Sequence, residues 1–351
     1  MRSLAGRVVF LAVATAAVAL LPLYVSEFRA YELARVGIFF IALLGLNLLT
    51  GYTGQISLGH GAFMAIGAYT TAILVTRYGI RDLWTIPLAG LVTGAVGFLF
   101  GFPALRLAGV YLALATFALA VAVPSLAKYG RIDELTGGGS GLLLDLPATP
   151  FGLPFSPSDW LYYLCWGIGG VLFVTAWVLV RGRTGRAFRA IRENELAAVS
   201  SGVGLASYKT LAFGVSAFYG GVAGSLYGIT INFVNPDTFP VSLSILLLTG
   251  VVVGGLGSLA GVVFGAVFIQ YVPLYAGDML NWPLGKIGRT LDPATTGVPA
   301  VVYGLILLGV LLAAPAGAAG LLRRIRGALT SRALRRIVDA GGRVTSSRRQ
   351  A

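Results

Sequence analysis

Charged residues are scarce in this chain. Of 351 residues, 26 are Lys or Arg and 13 are Asp or Glu, which together make 11 % of the chain, whereas a soluble domain carries about 25 %. Hydrophobic residues make up 57 %, and a soluble fold of this length cannot bury so much apolar surface. A disordered chain is excluded because such chains are poor in hydrophobic residues. The composition therefore indicates a protein that crosses a membrane several times.

Cysteine and histidine occur once each, as Cys165 and His60. A single cysteine excludes an internal disulfide and a CxxC redox site. The two residues together are too few for a zinc site built from Cys and His, and we expect neither a metal site nor a catalytic residue. No GxxxxGK[ST] run is present, so we expect no cofactor on this chain and place any ATP on partner chains.

Segments without charge delimit the membrane-spanning helices, each of which needs about 20 apolar residues. Eight such segments contain 19 or more residues, and two of them, 36–76 and 238–277, contain 41 and 40. Each of these two is long enough for two spans and has a Gly-rich break, at 51–54 and 254–257. The sequence therefore predicts an all-α polytopic membrane protein of about ten spans, of which eight do not depend on the positions of the breaks.

The two broken segments resemble each other at an offset of 201. At this offset, Gly54-x-x-Ser57-Leu58 matches Gly255-x-x-Ser258-Leu259. Repeated units with interrupted helices are common in transporters, and the interruptions tend to lie near the substrate path.

Polar residues of the first break are candidates to line a substrate path. We expect Thr53, Gln55 and Ser57 to face a polar substrate. His60 either donates a hydrogen bond to a backbone carbonyl freed by the break, which we favour, or lines the path itself.

Lys and Arg indicate the orientation, because they are enriched in short cytoplasmic loops. The stretch 181–209 and the tail together hold 15 of the 26 basic residues, so we expect both, and the N-terminus, in the cytoplasm. We divide the chain into a transmembrane domain, 1–322, and a basic tail, 323–351. We expect the first span to be retained rather than removed as a signal peptide, and the tail to meet lipid headgroups rather than nucleic acid.

Residues 186–201 contain no Gly or Pro and predict one short cytoplasmic helix within about 183–207. Ala187, Ile191, Ala198 and Ser201 form its mildly apolar face, and Gly202 ends it. Such a helix either fills space between two spans or docks into a groove on a partner protein.

Three runs resemble a known family. They are Asn47–Phe63 (NLLTGYTGQISLGHGAF), Gly185–Ala198 (GRAFRAIRENELAA) and Lys209–Phe218 (KTLAFGVSAF). A shorter fourth run is Thr136–Gly138. Together they resemble the permease subunit of bacterial ABC importers for branched-chain amino acids, the LivM type.

The resemblance implies that the short helix is a coupling helix, which in this family has a Glu-Ala-Ala-x-x-x-Gly pattern. Here Leu196 stands where the Glu belongs, so Glu193 or Glu195 takes its part. The coupling residues that we assign are Arg189, Glu193, Glu195, Ala197, Ala198 and Gly202. Thr136, Gly137 and Gly138 join the substrate path from an external loop.

The resemblance also implies the partners and the location. They are a second permease subunit, LivH-like or a copy of this chain, two ATP-binding cassette subunits, and a periplasmic or lipid-anchored substrate-binding protein. The location implied is the bacterial inner membrane.

Three other functions remain open. Relatives in this class carry urea, short amides or other amino acids. A secondary transporter or channel is a second alternative, although such carriers usually place carboxylates within the membrane and the predicted spans contain none. An intramembrane serine protease is the third, because Gly138–Gly141 reads GxSG around Ser140, but its only candidate histidine base is His60.

Overall fold

The computed structural model describes residues 20–107, 109–145, 156–285, 298–313 and 317–321. The predicted first span, 8–26, lies within these residues only from residue 20 onward, and the tail 323–351 lies entirely outside them. The division at residue 322 therefore stays a prediction.

Helices make up most of the described chain. In chain order, α1 is Glu27–Leu46, α2 His60–Tyr78, α3 Asp82–Ala104, α4 Val110–Ala127, α5 Asp133–Thr136, α6 Pro157–Arg181, α7 Arg183–Glu193, α8 Glu195–Ser200, α9 Leu205–Ile231, α10 Val241–Gly254, α11 Gly261–Gly285 and α12 Val298–Ala313. A π-helical segment, Asn47–Tyr52, continues α1. Strands β1, Leu142–Leu143, and β2, Phe233–Val234, form one short antiparallel pair.

Within the described residues, five helical segments are long and apolar enough to cross a membrane. They are Glu27–Tyr52, Asp82–Ala104, Val110–Ala127, Pro157–Arg181 and Pro236–Gly254, and two shorter apolar helices are Gly261–Tyr275 and Val301–Val310. The polytopic helical fold is thus confirmed. The count of ten stays a prediction.

Helix α1 lies at the centre of the bundle. In its most apolar stretch, 89 % of the residues are buried, whereas the same share is 28–44 % in the other four candidate spans. It packs against α6, α9, α10 and α11. Because α1 is apolar on all sides after Arg35, that part gains burial on every face, which is the pattern of a helix enclosed by others.

Helix α9 packs most extensively against α3 and α2. Glycines permit these close approaches, as small residues do between helices in lipid. A Cβ added at Gly101 of α3 would lie 2.8 Å from the Cα of Thr210, and one at Gly220 of α9 would lie 3.0 Å from the Cβ of Phe63. Gly257, Gly261 and Gly265 are spaced four residues apart, but only Gly261 and Gly265 lie in a helix, since Gly257 precedes α11.

The bundle has two distinguishable ends. At the sheet end, β1 pairs with β2, and Lys128 Nζ lies 2.8 Å from a carboxylate oxygen of Asp237. At the break end, both helix breaks meet the segment α7–α8, as shown below. Helix α2 begins towards the break end and finishes at the sheet end, where the Arg77 guanidinium donates to the Glu134 carbonyl.

Helix α1 begins at Glu27, nine residues before the charge-free segment 36–76. It therefore includes Glu32, which is 4 % exposed and accepts a hydrogen bond from Gln270 of α11. Arg35 lies 4.0 Å from the same carboxylate. The statement that the predicted spans contain no carboxylate is thus wrong for this candidate span, because two polar partners allow the helix to continue through charged residues.

Candidate functional site

The side chain of Asn47 joins the two helix breaks. It lies at the start of the π-helical segment and is fully buried. Its Oδ1 accepts from the Gly257 amide at 2.9 Å, and its Nδ2 donates to the Ser258 carbonyl at 3.1 Å. The amide group thereby satisfies a donor and an acceptor that the second break leaves free.

Arg192 of α7 reaches the same place. Its guanidinium donates to the Gly51 carbonyl of the first break. A Cβ on Gly257 would lie 2.9 Å from its Nη1, and a Cβ on Gly54 would lie 3.2 Å from its Cγ. Gly54 and Gly257, one from each break, therefore leave the space that the arginine side chain occupies. Movement of α7 would act directly on both breaks through this contact.

The two breaks share local geometry at the offset seen in the sequence. Helical conformation ends at Thr53 in the first and at Gly254 in the second, 201 residues apart. Gly54 and Gly255, the next residues, both have positive φ, 75° and 109°, a region that glycine adopts without a Cβ clash. Each break is thus a helix end followed by a glycine with positive φ.

After the first break the chain runs without helix through 54–59, towards the interior of the bundle. Gly54 lies against Arg192 at the break end. Further along, the Leu58 amide donates to Thr116 Oγ1 of α4 at 2.9 Å, and the Gly61 amide donates to Ser244 Oγ of α10 at 2.9 Å. Ser244 lies ten residues from the end of α10, or about 15 Å at 1.5 Å per residue.

The predicted path residues of this segment turn towards their own chain. Thr53 is 3 % exposed, Gln55 6 % and Ser57 0 %. Gln55 Nε2 donates to Thr53 Oγ1 at 3.0 Å, and Ser57 Oγ accepts from the Gly59 amide at 3.3 Å. Contact of these residues with substrate stays a prediction.

His60 is the first residue of α2 and is fully buried. Its ring lies edge-on to Phe63, with ring centroids 6.2 Å apart. A Cβ on Gly45 of α1 or Gly220 of α9 would lie 3.3–3.4 Å from the ring. Neither ring nitrogen makes a hydrogen bond of normal geometry within the described residues, so the bond to a freed backbone carbonyl that we favoured for His60 is not seen there. Contact of His60 with substrate stays a prediction.

The structure does not bring the two predicted groups of path residues together. Thr136 donates to the Ala127 carbonyl at 2.9 Å, and Gly137 and Gly138 follow it at the sheet end. The other group lies near the start of α2, whose 19 residues span about 28 Å. The predicted residues thus mark two positions along one bundle.

The same separation bears on the protease alternative. Ser140 is exposed in a turn beside β1 at the sheet end, whereas His60 is buried at the far end of α2. A serine nucleophile needs its base within hydrogen-bond reach, so these two residues do not form a Ser–His pair. Among the described residues, no group of three or more His, Cys, Asp or Glu is placed to hold a metal ion.

The predicted helix 186–201 is two helices, so the single-helix prediction is wrong. Asn194 is extended, with φ −162° and ψ 115°, and its side chain accepts from the Ala197 amide at 3.1 Å. Asparagine favours this N-cap position because its short side chain replaces a missing helical acceptor. Helix α8 then ends at Ser200, and Gly202 follows with φ 81°.

The apolar face of this segment is largely as predicted. Ala187, Ile191 and Ala198 are buried, whereas Ser201 is exposed. Phe188, which the pattern did not select, is fully buried and packs edge-on against Tyr208, with ring centroids 6.4 Å apart. The face therefore packs against the start of α9.

The charged residues of this segment differ in their partners. Glu195 forms an ion pair with Lys209 at 2.7 Å, and the Lys209 side chain is only 7 % exposed. Glu193 and Arg189 are both exposed, and no ion pair joins them within the described part of the chain. Of the two candidate carboxylates, Glu193 is the one available to another protein.

Helix α8 also presents apolar side chains outward. Leu196 is 82 % exposed and Val199 is 52 % exposed. Periodicity did not select these residues. It did not select Asn47 and Arg192 either, because they act through contacts with distant segments. The only sequence signal for Asn47, Arg192 and Leu196 was that they lie within the runs that resemble the permease family.

A family model described as "Branched-chain amino acid transport system / permease component" matches residues 29–315. The chain belongs to this permease family. The match includes both helix breaks and the segment α7–α8.

Individual relatives of the permease are named for the same kind of transport system as the family model. It is 38 % identical over 273 residues to the high-affinity branched-chain amino acid transport system permease protein LivM of Salmonella typhimurium, covering 71 % of this chain and 63 % of the relative. It is 38 % identical over 256 residues to LivM of Escherichia coli, covering 66 % and 60 %. A probable LivM of Methanocaldococcus jannaschii is 23 % identical over 323 residues, covering 80 % and 90 %.

The permease thus spans about three fifths of the length of the two bacterial LivM proteins. No solved structure matches it.

Proposed function

We propose that this chain is a permease subunit of an ABC importer that passes branched-chain amino acids into the cell. The observation that carries the proposal is the family match over 29–315, supported by relatives that are named as branched-chain amino acid permeases. ATP is hydrolysed on partner chains, and this chain supplies the passage.

The break end faces the cytoplasm in this proposal, and the membrane is the bacterial inner membrane. The segment 181–209, with six basic residues, lies at that end, and basic residues favour the cytoplasmic side. Both termini are cytoplasmic as well.

Segment α7–α8 is the coupling element, which transmits ATP-driven motion to the passage. Leu196 and Val199 offer an exposed apolar surface, and an amphipathic helix binds a partner by placing such a surface in a groove. Exposed Glu193 adds an anionic contact, while the Glu195–Lys209 ion pair fixes α8 to α9. The docked partner is one of two ATP-binding cassette subunits.

Two further partners complete the importer. A second permease subunit, LivH-like or a second copy, forms the other half of the passage. A periplasmic or lipid-anchored binding protein delivers the substrate at the sheet end.

The test is uptake of labelled leucine into vesicles that contain the reconstituted importer. We expect uptake to require both ATP and the loaded binding protein. Leu196→Glu places a charge in the docking surface and should abolish stimulated ATPase and uptake. Ser200→Glu is the control: it adds the same charge to α8 without removing apolar surface, so both activities should persist.

Three results would contradict the proposal. Uptake driven by an ion gradient without ATP would indicate a secondary transporter. Competition by urea or short amides, but not by leucine, would indicate another substrate. Full coupling in Leu196→Glu would show that α8 does not dock.

A further inference from the structure

The non-helical segment 54–59 has two different sides. Its residues alternate, as side chains of an extended chain do: Gln55, Ser57 and Gly59 are buried, whereas Gly54 and Ile56 are exposed and Leu58 is half-buried. Ile56 is 43 % exposed. The outward side of the segment is therefore apolar.

The segment lies alongside helices that a membrane surrounds. Its far end is fixed to Thr116, six residues into α4, and α4 is a candidate span. The residues that follow the segment are fixed as well, because the Gly61 amide at the start of α2 donates to Ser244 of α10, about 15 Å from the end of that helix. The far end of the segment therefore lies beside the interior of α4, not beyond its end.

The backbone of this segment is incompatible with lipid. Within the described residues, neither the amide nor the carbonyl of Ile56 makes a hydrogen bond. Unpaired backbone groups cost several kcal/mol in hydrocarbon, so non-helical backbone at membrane depth lies against protein or lines a water-filled cavity. The exposed helices α3 and α6 are under no such restriction, because their backbone groups are paired internally.

We infer that Ile56 and Leu58 line the water-filled passage and contact the aliphatic side chain of the amino acid that passes through it. This inference rests on the proposed function and names the opposite side of the segment from Thr53, Gln55 and Ser57. Free backbone groups beside two apolar side chains suit a substrate that is polar at one end and branched and apolar at the other.

The first test is thiol labelling of the reconstituted importer with a charged, water-soluble reagent. Ile56→Cys should react at least about tenfold faster than Leu99→Cys, because a thiol in lipid stays protonated and unreactive. Leu99 is a matched control, since it is 66 % exposed on the regular helix α3. The native Cys165 is buried and sets the background.

The labelling rates of the cysteine variants show whether the outward side faces water and whether it contacts substrate. Slower reaction at Ile56→Cys when leucine-loaded binding protein and ATP are added supports it, and Leu58→Cys should behave alike. Reaction no faster than at Leu99→Cys would overturn it, because the side would then face lipid or be covered by the second subunit. Reaction that substrate does not slow would overturn the contact with the amino acid.

The second test is selectivity. Ile56→Ala should lower uptake of leucine relative to alanine by about tenfold, the lower end of what one apolar contact contributes to discrimination, while the loaded binding protein still stimulates the ATPase. Leu99→Ala should leave the ratio unchanged. An unchanged ratio in Ile56→Ala would overturn the contact. If the wild-type importer carries no branched-chain amino acid, the proposed function and the named substrate both fall, and the labelling still decides whether the segment faces water.

Discussion

Replacement of Asn47 by Ala should loosen the second helix break without unfolding the bundle. The change removes the acceptor of the Gly257 amide, at 2.9 Å, and the donor to the Ser258 carbonyl, at 3.1 Å. Each hydrogen bond contributes about 0.5–1.5 kcal/mol net, so opening of the break should become easier by about 1–3 kcal/mol.

Hydrogen–deuterium exchange measures this opening directly. Local opening free energies set the exchange rates of protected amides, and about 1–3 kcal/mol corresponds to about 5–150-fold faster exchange. Peptides covering 254–261 of the variant in lipid nanodiscs should show this increase, whereas peptides from α9 should not. The first break should loosen as well, because the π-helical segment loses its partner.

Thr71→Val is the matched control. It removes a buried hydrogen bond of 2.6 Å between Thr71 and Ser225, which joins α2 to α9 and leaves both breaks intact. Unchanged exchange of 254–261 in Asn47→Ala would refute the reasoning. So would an equal increase in Thr71→Val, since the effect would then be a general loss of stability.

Further predictions concern packing, the ion pair and orientation. Gly59→Ala should reduce the yield of folded protein in detergent, because the new Cβ would lie 2.7 Å from a backbone carbonyl of α4, whereas Gly139→Ala has open space and should not. Lys209→Met should destabilise α8 by up to about 1 kcal/mol, because it removes the ion pair to the partly exposed Glu195 carboxylate, and limited proteolysis within α8 that is no faster than in wild type would contradict this. In intact cells, Ser140→Cys should react with an impermeant thiol reagent and Arg106→Cys should not; the reverse pattern would invert the proposed orientation.

Helix boundaries that depend on one side chain and its hydrogen-bond partner were the ones that the sequence predicted poorly. Charge-free length placed α1 after Arg35, yet the helix begins at Glu27 because Gln270 of α11 accommodates Glu32. Helical propensity joined α7 to α8, yet Asn194 separates them by capping α8 with its own side chain. In both cases a single side chain and its partner decided the boundary.

The sequence also predicted the candidate site residues only in part. The motif runs directed attention to the correct segments, 47–63 and 185–198. They did not show which side of 54–59 faces outward, because alternation along six residues has no fixed phase until Leu58 is bonded to α4 and Gly61 to α10.

The sequence by itself determined the class of protein and the positions of its breaks. Scarce charge and long apolar segments allow only a helical membrane protein, because lipid offers no partner to an unpaired backbone group. Gly54 and Gly255 fixed the helix ends locally, since a residue with positive φ there is best a glycine. Only the tertiary structure decided that the two breaks meet and that Asn47 and Arg192 hold them together. Those bonds join residues more than 140 positions apart, and no local pattern encodes the approach of such distant segments.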